Sequence, residues 1–261
     1  MTAPLVRINL HEHAGTIILN RPAKRNALTR AMLGELSQAL GDLHMQRSVK
    51  AVILTGSGPA FCAGMDLQEM LDTSREENAS QRWHEDAELY RDLVESMWRF
   101  PKPIIAAVNG PAIAGGAGLV LGCDLVIASR DARFGLPEPL RGIVAGMVAP
   151  LLSLRVGCGQ AARLLLSAAT IDATEAHRIG LFHELVEPDH LWPRALEMAA
   201  QCARCAAESL QLTKRLLNEM IAEHLPTLLT AGAAVSATAR TTAAAAEGLA
   251  AFLEKREPKW P

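Results

Sequence analysis

A chain of 261 residues can bury a substantial core, and 49% hydrophobic with 21% charged residues is ordinary globular usage that excludes disorder over most of its length. Lys and Arg number 26 against 28 Asp and Glu, a formal charge of -2, and aromatics are 4%, so neither the field nor the stacking platforms for a nucleic-acid partner are present. Five cysteines are an odd count in a chain too large to need staples, and the first residues lack a basic, apolar, small-residue signal, which together point to a reducing cytoplasm.

In chain order, β-branched runs predict strands at 5–10 and 16–19, and residues 30–44, opened by the hydroxyl of Thr29, predict a helix. A further strand follows at 51–55. Residues 72–86 are polar, with no apolar period until Ala87, and read as a loop or frayed helix start before a helix to Arg99. The stretch 104–123 is apolar except for Asn109 and long enough to span a bilayer. Asn109-Gly110-Pro111 interrupts it and Gly115, Gly116, Gly118 and Gly122 weaken a helix, so it reads as a buried strand, a tight turn and a short buried helix. A strand at 125–128 comes next, then a helix opened by Asp172 and Glu175 and ending near Gly180. Beyond Pro188 only helices are predicted, at 191–206, 208–223, 226–235 and 238–255. Small apolar residues there suit close helix packing, including against another subunit.

No metal site is expected. Cys202 and Cys205 form a CxxC without a second ligand pair at zinc spacing, and read as packed helix-face thiols. His11-Glu12-His13 places its imidazoles two apart, not the four of a helical zinc site.

Three segments could carry chemistry. In 55–67 and 109–118, small residues at a turn or helix start leave backbone N–H groups bare, an arrangement that stabilises an oxyanion or a phosphate. Each taken alone is equally a structural turn. In 132–140, Pro137 and Pro139 hold Glu138 out of a regular helix and aim it at whatever lies beside the turn, though general exposure favours a solvated loop carboxylate. The fingerprints GxGxxG, GK[ST] and GxSxG are absent, which removes dinucleotide, P-loop and serine-hydrolase readings.

Asn20-Arg21-Pro22-Ala23-Lys24-Arg25-Asn26-Ala27-Leu28, then 61–67, 102–124, 134–138 and 248–255, in this order and spacing, resemble the enoyl-CoA hydratase/isomerase (crotonase) family over nearly the whole chain. The resemblance implies an α/β spiral of repeated ββα turns over residues 1–195, carrying an acyl-CoA site, and a helical trimerisation region over 196–261. A homotrimer, or a hexamer of two trimers, would result. The substrate would be an acyl-CoA thioester with no separate cofactor and no metal, and no nucleic-acid or membrane partner is implied.

Carried over by position, the N–H groups of Met65 and Gly115 match the family's oxyanion donors, with the Met65 side chain standing where Ala or Gly is frequent. Family hydratases commonly use two glutamates. Here the first position is Gly118 and the second is Glu138, so one acid must serve hydration, or else move a proton between carbons as in a 3,2-trans-enoyl-CoA isomerase; a non-catalytic protein on the same fold is the third reading. Glu69, His84, Asp86 and Tyr90 are candidates to supply the missing acid, each with a solvated helix face as the plainer reading. Lys24 and Arg25 match positions near the CoA phosphates, while Ala27, Ala63, Asp66, Leu67, Gly116 and Pro137 match positions along the rest of the thioester. Lys255, with Phe252, resembles a position reaching CoA in a neighbouring subunit. A finer likeness in 115–119, 134–138, Ala149-Pro150, Ala162-Arg163 and 251–260 is to bacterial 3-methylglutaconyl-CoA and isohexenylglutaconyl-CoA hydratases, which also lack the first glutamate. It implies a substrate with a second carboxylate, for which Arg141 is a candidate cation.

Overall fold

A computed structural model describes residues 3–261. The hairpin β1 (Val6–Leu10) and β2 (Ala14–Leu19) leads through α1 (Arg30–Met45) to β3 (Ala51–Gly56), α2 (Leu67–Thr73) and α3 (Ala79–Arg99). β4 (Ile104–Val108), β5 (Ala112–Ile113) and α4 (Gly115–Leu121) form the next turn, and β6 (Leu125–Ser129), β7 (Arg133–Gly135) and α5 (Val148–Ser167) another. β8 (Thr170–Asp172), α6 (Ala173–Arg178) and β9 (Glu184–Val186) follow, then α7 (Leu191–Ala203), α8 (Ala207–Ala222), α9 (Leu225–Ala239) and α10 (Ala243–Glu254).

The large sheet runs β1-β2-β3-β4-β6-β9 and is parallel from β2 onward. Its central strands are apolar on both faces because both faces are covered. Ala51, Ile53, Ile105, Ala107 and Ile127 point to α7, where they meet Leu191, Ala195 and Ala199. Their neighbours Val52, Leu54, Ile104, Ala106 and Val108 enter the main core with α1 and α3. A second, smaller sheet, β5-β7-β8, is continued by single bridges from Cys62 to Ala112 and from Leu28 to Met65. Successive turns of the chain thus place one strand in the large sheet and one short extended piece in the inner row before a helix. This is the expected ββα spiral.

The apolar stretch 104–123 divides into β4, a turn, β5 and α4, and among the described residues no helix is long and apolar enough to cross a membrane. Elsewhere the structure decides between sequence readings or departs from them. α3 begins at Ala79, so that of the two readings of 72–86, loop or helix start, the second holds from there on, because Trp83, Ala87, Tyr90, Val94 and Met97 form one buried stripe while its polar first turns pair along the helix, Gln81 donating to Glu85 (2.9 Å) and Arg82 to Glu85 (3.1 Å). α9 runs on to Ala239, and α10 starts only at Ala243, where the Thr242 hydroxyl accepts from the N–H of Ala245 (3.1 Å). Residue 195, the expected end of the core, lies inside α7, whose buried face packs on the sheet. Cys202 and Cys205 are free thiols, half-buried at the end of α7 and exposed just beyond it.

Close backbone contacts define the inner row. Asn26 is fully buried, its amide donating to the carbonyls of Ser57 (2.9 Å), Ala60 (2.9 Å) and Phe61 (3.1 Å) and its Oδ1 accepting from the N–H of Arg21 (2.8 Å). At Gly116 a Cβ would stand 2.3 Å from the carbonyl oxygen of Cys62. Gly116→Ala is therefore expected to reduce unfolding free energy by about 1–3 kcal/mol through overpacking, read as a lowered denaturant midpoint at unchanged slope.

Candidate active site

Two turns meet edge to edge. The first leaves β3 and enters α2, which Asp66 caps by accepting from the N–H groups of Gln68 (3.0 Å) and Glu69 (3.2 Å). Burial opposes the Asp66 charge, but Arg21 (2.5 Å) and these amides hold its pKa below the ordinary value. Leu28 donates to the carbonyl of Gly64 (2.8 Å) and accepts from the N–H of Asp66 (2.8 Å), so the N–H of Met65, between them, points away from Leu28. The second turn passes from β5 into α4. Ala114 donates to the carbonyl of Gly135 (2.9 Å) at φ 54° and ψ -123°, a left-handed conformation. Such a conformation costs a non-glycine residue about 1–3 kcal/mol. Gly115 then opens the helix, where an N–H has no intrahelical acceptor.

Neither the Met65 nor the Gly115 N–H donates to a protein acceptor among the described residues. Gly64, at φ 87°, brings the turns together: a Cβ there would lie 2.8 Å from the Ala114 Cβ and 3.1 Å from the Gly115 nitrogen.

Glu138 starts a single 3-10 turn, Glu138–Arg141, flanked by Pro137 and Pro139 and closed by Gly142 at φ 65°. It is 6% exposed, not solvated, and its Oε2 has no hydrogen-bond partner among the described residues. Burial lifts its pKa from 4.5 to about 7, opposed in part by its own backbone N–H. Met65, Gly115 and Glu138 line one cavity of about 280 Å³, whose walls are otherwise largely apolar and include Met70, Ile113 and Val148. Two free donors and a carboxyl poised to gain or lose a proton therefore face one space, which equips it to stabilise an oxygen that becomes negative and to move a proton beside it. The Cys62 thiol, behind the first turn, is pushed by burial up to about 12 and stays neutral.

Of the positions assigned to the thioester, Arg25, Ala63, Leu67 and Pro137 line this cavity. Lys24 is exposed on the turn before Arg25, Ala27 and Asp66 are not among the lining residues, and Gly116 is buried against Cys62. Arg141 lines the cavity with its guanidinium over the Phe252 ring (4.2 Å), and Lys255 lies in an adjoining outer groove.

Of the four candidates for a second acid, only Tyr90 reaches the cavity. Asp86 and Glu69 are held by Arg30, and His84 lies on the exposed face beside Glu88 (3.7 Å). Tyr90 donates to the carbonyl of Gly115 (2.5 Å), and burial, then the nearby Cys62 and Glu138, keep its phenol protonated. A Cβ at Gly118 would be 2.1 Å from this hydroxyl. The tyrosine fills the space into which a side chain at 118 would project, so the second carboxylate is excluded by shape. Arg240 and Ser236 also line the cavity and were not anticipated; the signal available was a lone cation following a helix without charged residues.

Comparison with known proteins matches residues 11–261 to the enoyl-CoA hydratase/isomerase family. The chain belongs to that family. A Thermus thermophilus relative carrying the provisional name enoyl-CoA hydratase is 40% identical over 95% of this chain and 97% of its own. A 2,3-dehydroadipyl-CoA hydratase of Escherichia coli is 36% identical over 93% and 92%. Among solved structures, an enoyl-CoA hydratase/isomerase of Xanthobacter autotrophicus superposes with a TM-score of 0.88 at 31% identity, covering 97% of this chain and 93% of that one. The crotonase-type fold of this hydratase/isomerase-family member is thereby shared along nearly its full length.

Two outcomes follow for this family member. Gly118→Ala is expected to cost about 1–3 kcal/mol in unfolding free energy, and in a Tyr90→Phe background less than half of that, a coupling measured by a double-mutant cycle. Between pH 4.5 and about 7 the unfolded chain has released the Glu138 proton that the folded chain still holds. Stability therefore falls as pH rises through this window, by roughly 3 kcal/mol at most, and stays lower above it. Glu138→Gln removes that loss, so its Tm should exceed wild type near pH 8 and converge with it towards pH 4.5.

Proposed function

We propose that this chain adds water across the 2,3-double bond of an enoyl-CoA thioester, using Glu138 as its single acid/base. The observation that supports this most is that two residues whose N–H groups have no acceptor among the described residues line one cavity with a buried carboxyl whose Oε2 has no partner there. In this reading the ionised Glu138 takes a proton from water as the water oxygen bonds to C3. The π electrons move through C2 onto the thioester oxygen, where the N–H groups of Met65 and Gly115 hold the enolate. The enolate then returns to a carbonyl as C2 takes the proton from Glu138, and H and OH have been added. Proton transfer and two backbone dipoles supply the chemistry, so no metal or redox cofactor is needed.

The finer substrate reading is an acyl group with a second carboxylate, of the methylglutaconyl type. The local likenesses around 115–119 and 134–138 support it, as does a relative named for 2,3-dehydroadipyl-CoA, whose acyl chain ends in a carboxylate. Lys24 and Arg25, at and beside the cavity, suit the CoA phosphates. We further read the protein as a cytoplasmic homotrimer or dimer of trimers. In support, α8 exposes Leu212, Leu216 and Met220 at helical spacing, an apolar stripe suited to another subunit, and the five cysteines are unpaired.

Incubation with crotonyl-CoA and glutaconyl-type enoyl-CoA esters in ¹⁸O-water tests the reading. Solvent oxygen is expected in the 3-hydroxyacyl product; double-bond migration without label would make the enzyme an isomerase, and no turnover at all would leave a binding protein. Glu138→Gln is expected to lower kcat by at least ~100-fold. Because the reacting form is the carboxylate, kcat/KM of the wild type should rise with pH through about 7 and level off above it.

A further inference from the structure

Arg240 follows α9, whose own residues carry no charge, and lies one turn beyond Ser236 on the face that lines the cavity. It is 6% exposed, yet its guanidinium makes no hydrogen bond among the described residues, and Nη1 is sealed without a partner. The nearest carboxylate is Asp86 of α3, 4.0 Å from Nη1. Both Asp86 oxygens are already taken by Arg30 of α1, Oδ1 accepting from Nε (2.5 Å) and Oδ2 from Nη2 (2.8 Å). Glu69 of α2 lies on Arg30 as well (3.9 Å). Two guanidiniums thus share one aspartate, and among the described residues Arg240 has no counter-ion of its own.

A buried cation without acceptors is costly, and burial accordingly pulls the Arg240 pKa down. The fork-shaped donor set matches a carboxylate. The other cations on the cavity wall are differently engaged: Arg141 stacks on Phe252 and donates to the carbonyl of Leu140 (3.0 Å), while Arg25 belongs to the exposed turn.

We propose that Arg240 receives the distal carboxylate of a dicarboxylic acyl group, an inference that rests on reading this cavity as the acyl-CoA site. Ser236 offers a hydroxyl on the same face, held among the described residues only by a long bond to the carbonyl of Val144 (3.5 Å). The substrate class is then set by a charge supplied from just beyond α9, on the helical side of the cavity, and not by the two turns that hold the thioester.

The test is calorimetric binding of saturated esters, which lack the reacting double bond: glutaryl-CoA against pentanoyl-CoA, and adipyl-CoA against hexanoyl-CoA. At least one dicarboxylic ester is expected to bind wild type roughly 10–100-fold more tightly than its methyl-ended counterpart. Arg240→Met should abolish that preference and Arg240→Lys should keep part of it; Asp86 stays paired with Arg30 in both. Equal affinity within both pairs for wild type overturns the proposal without any variant, and so does a preference that survives in Arg240→Met. The outcomes separate from those for hydration: preference without incorporation of solvent oxygen leaves Arg240 standing and hydration refuted, and labelled crotonyl product without preference does the reverse.

Discussion

Everything in this site depends on how closely two stretches of backbone can approach. The turns before α2 and α4 touch at Gly64, where a side-chain carbon would strike Ala114 and the Gly115 nitrogen. Their outer edges are occupied: Leu28 binds the first turn on both sides of Met65, and Gly135 binds the second through Ala114. Met65 of the first turn and Gly115 of the second, neither of whose N–H groups is taken by an acceptor among the described residues, line the same space. The inner row of extended pieces is therefore more than a structural by-product of the spiral. It pairs Leu28 with Gly64 and Asp66 on either side of Met65 and Ala114 with Gly135, and the left-handed strain at Ala114 is borne by this ladder.

The buried carboxyl is governed by the opposite requirement. Burial with Oε2 unpartnered among the described residues is what brings the Glu138 pKa to about 7, and a carboxyl so placed weakens the fold wherever it is ionised. Prolines on either side, and α10 packed on the Glu138–Arg141 turn, hold it in that unfavourable place. Tyr90 completes the arrangement, anchoring Gly115 by its carbonyl while occupying the space beside Gly118. A single carboxyl is thus built into the packing of α3 against α4, not left by an omission that another residue could fill.

Much of this was legible in the residues. Runs such as Ile104–Val108 announce strands covered on both faces, and the glycines of the two turns, taken with Glu138 between prolines, announce a site once their order along the chain is considered. The pieces of two or three residues, β5, β7 and β8, were not legible, because they exist only through pairing between distant segments and carry no periodicity of their own. The start of α3 was hidden for a related reason: Trp83 is the only large apolar residue in its first turns, and one residue does not make a period. Arg240 escaped notice because nothing in a small-residue helix tells whether its one following cation meets solvent or a cavity, and Tyr90 gained its place only when the contact with Gly118 became visible.

The last helices have a temporal consequence. Gly142 lies against the backbone of Ala244, Gly248 against that of Arg141, and Ser236, Arg240 and Phe252 close the cavity from that side. On a ribosome the spiral, both amides and the acid would emerge well before those walls. Until those walls are in place the cavity is open on the side that Ser236, Arg240 and Phe252 close. The cavity is complete only once α9 and α10 have docked.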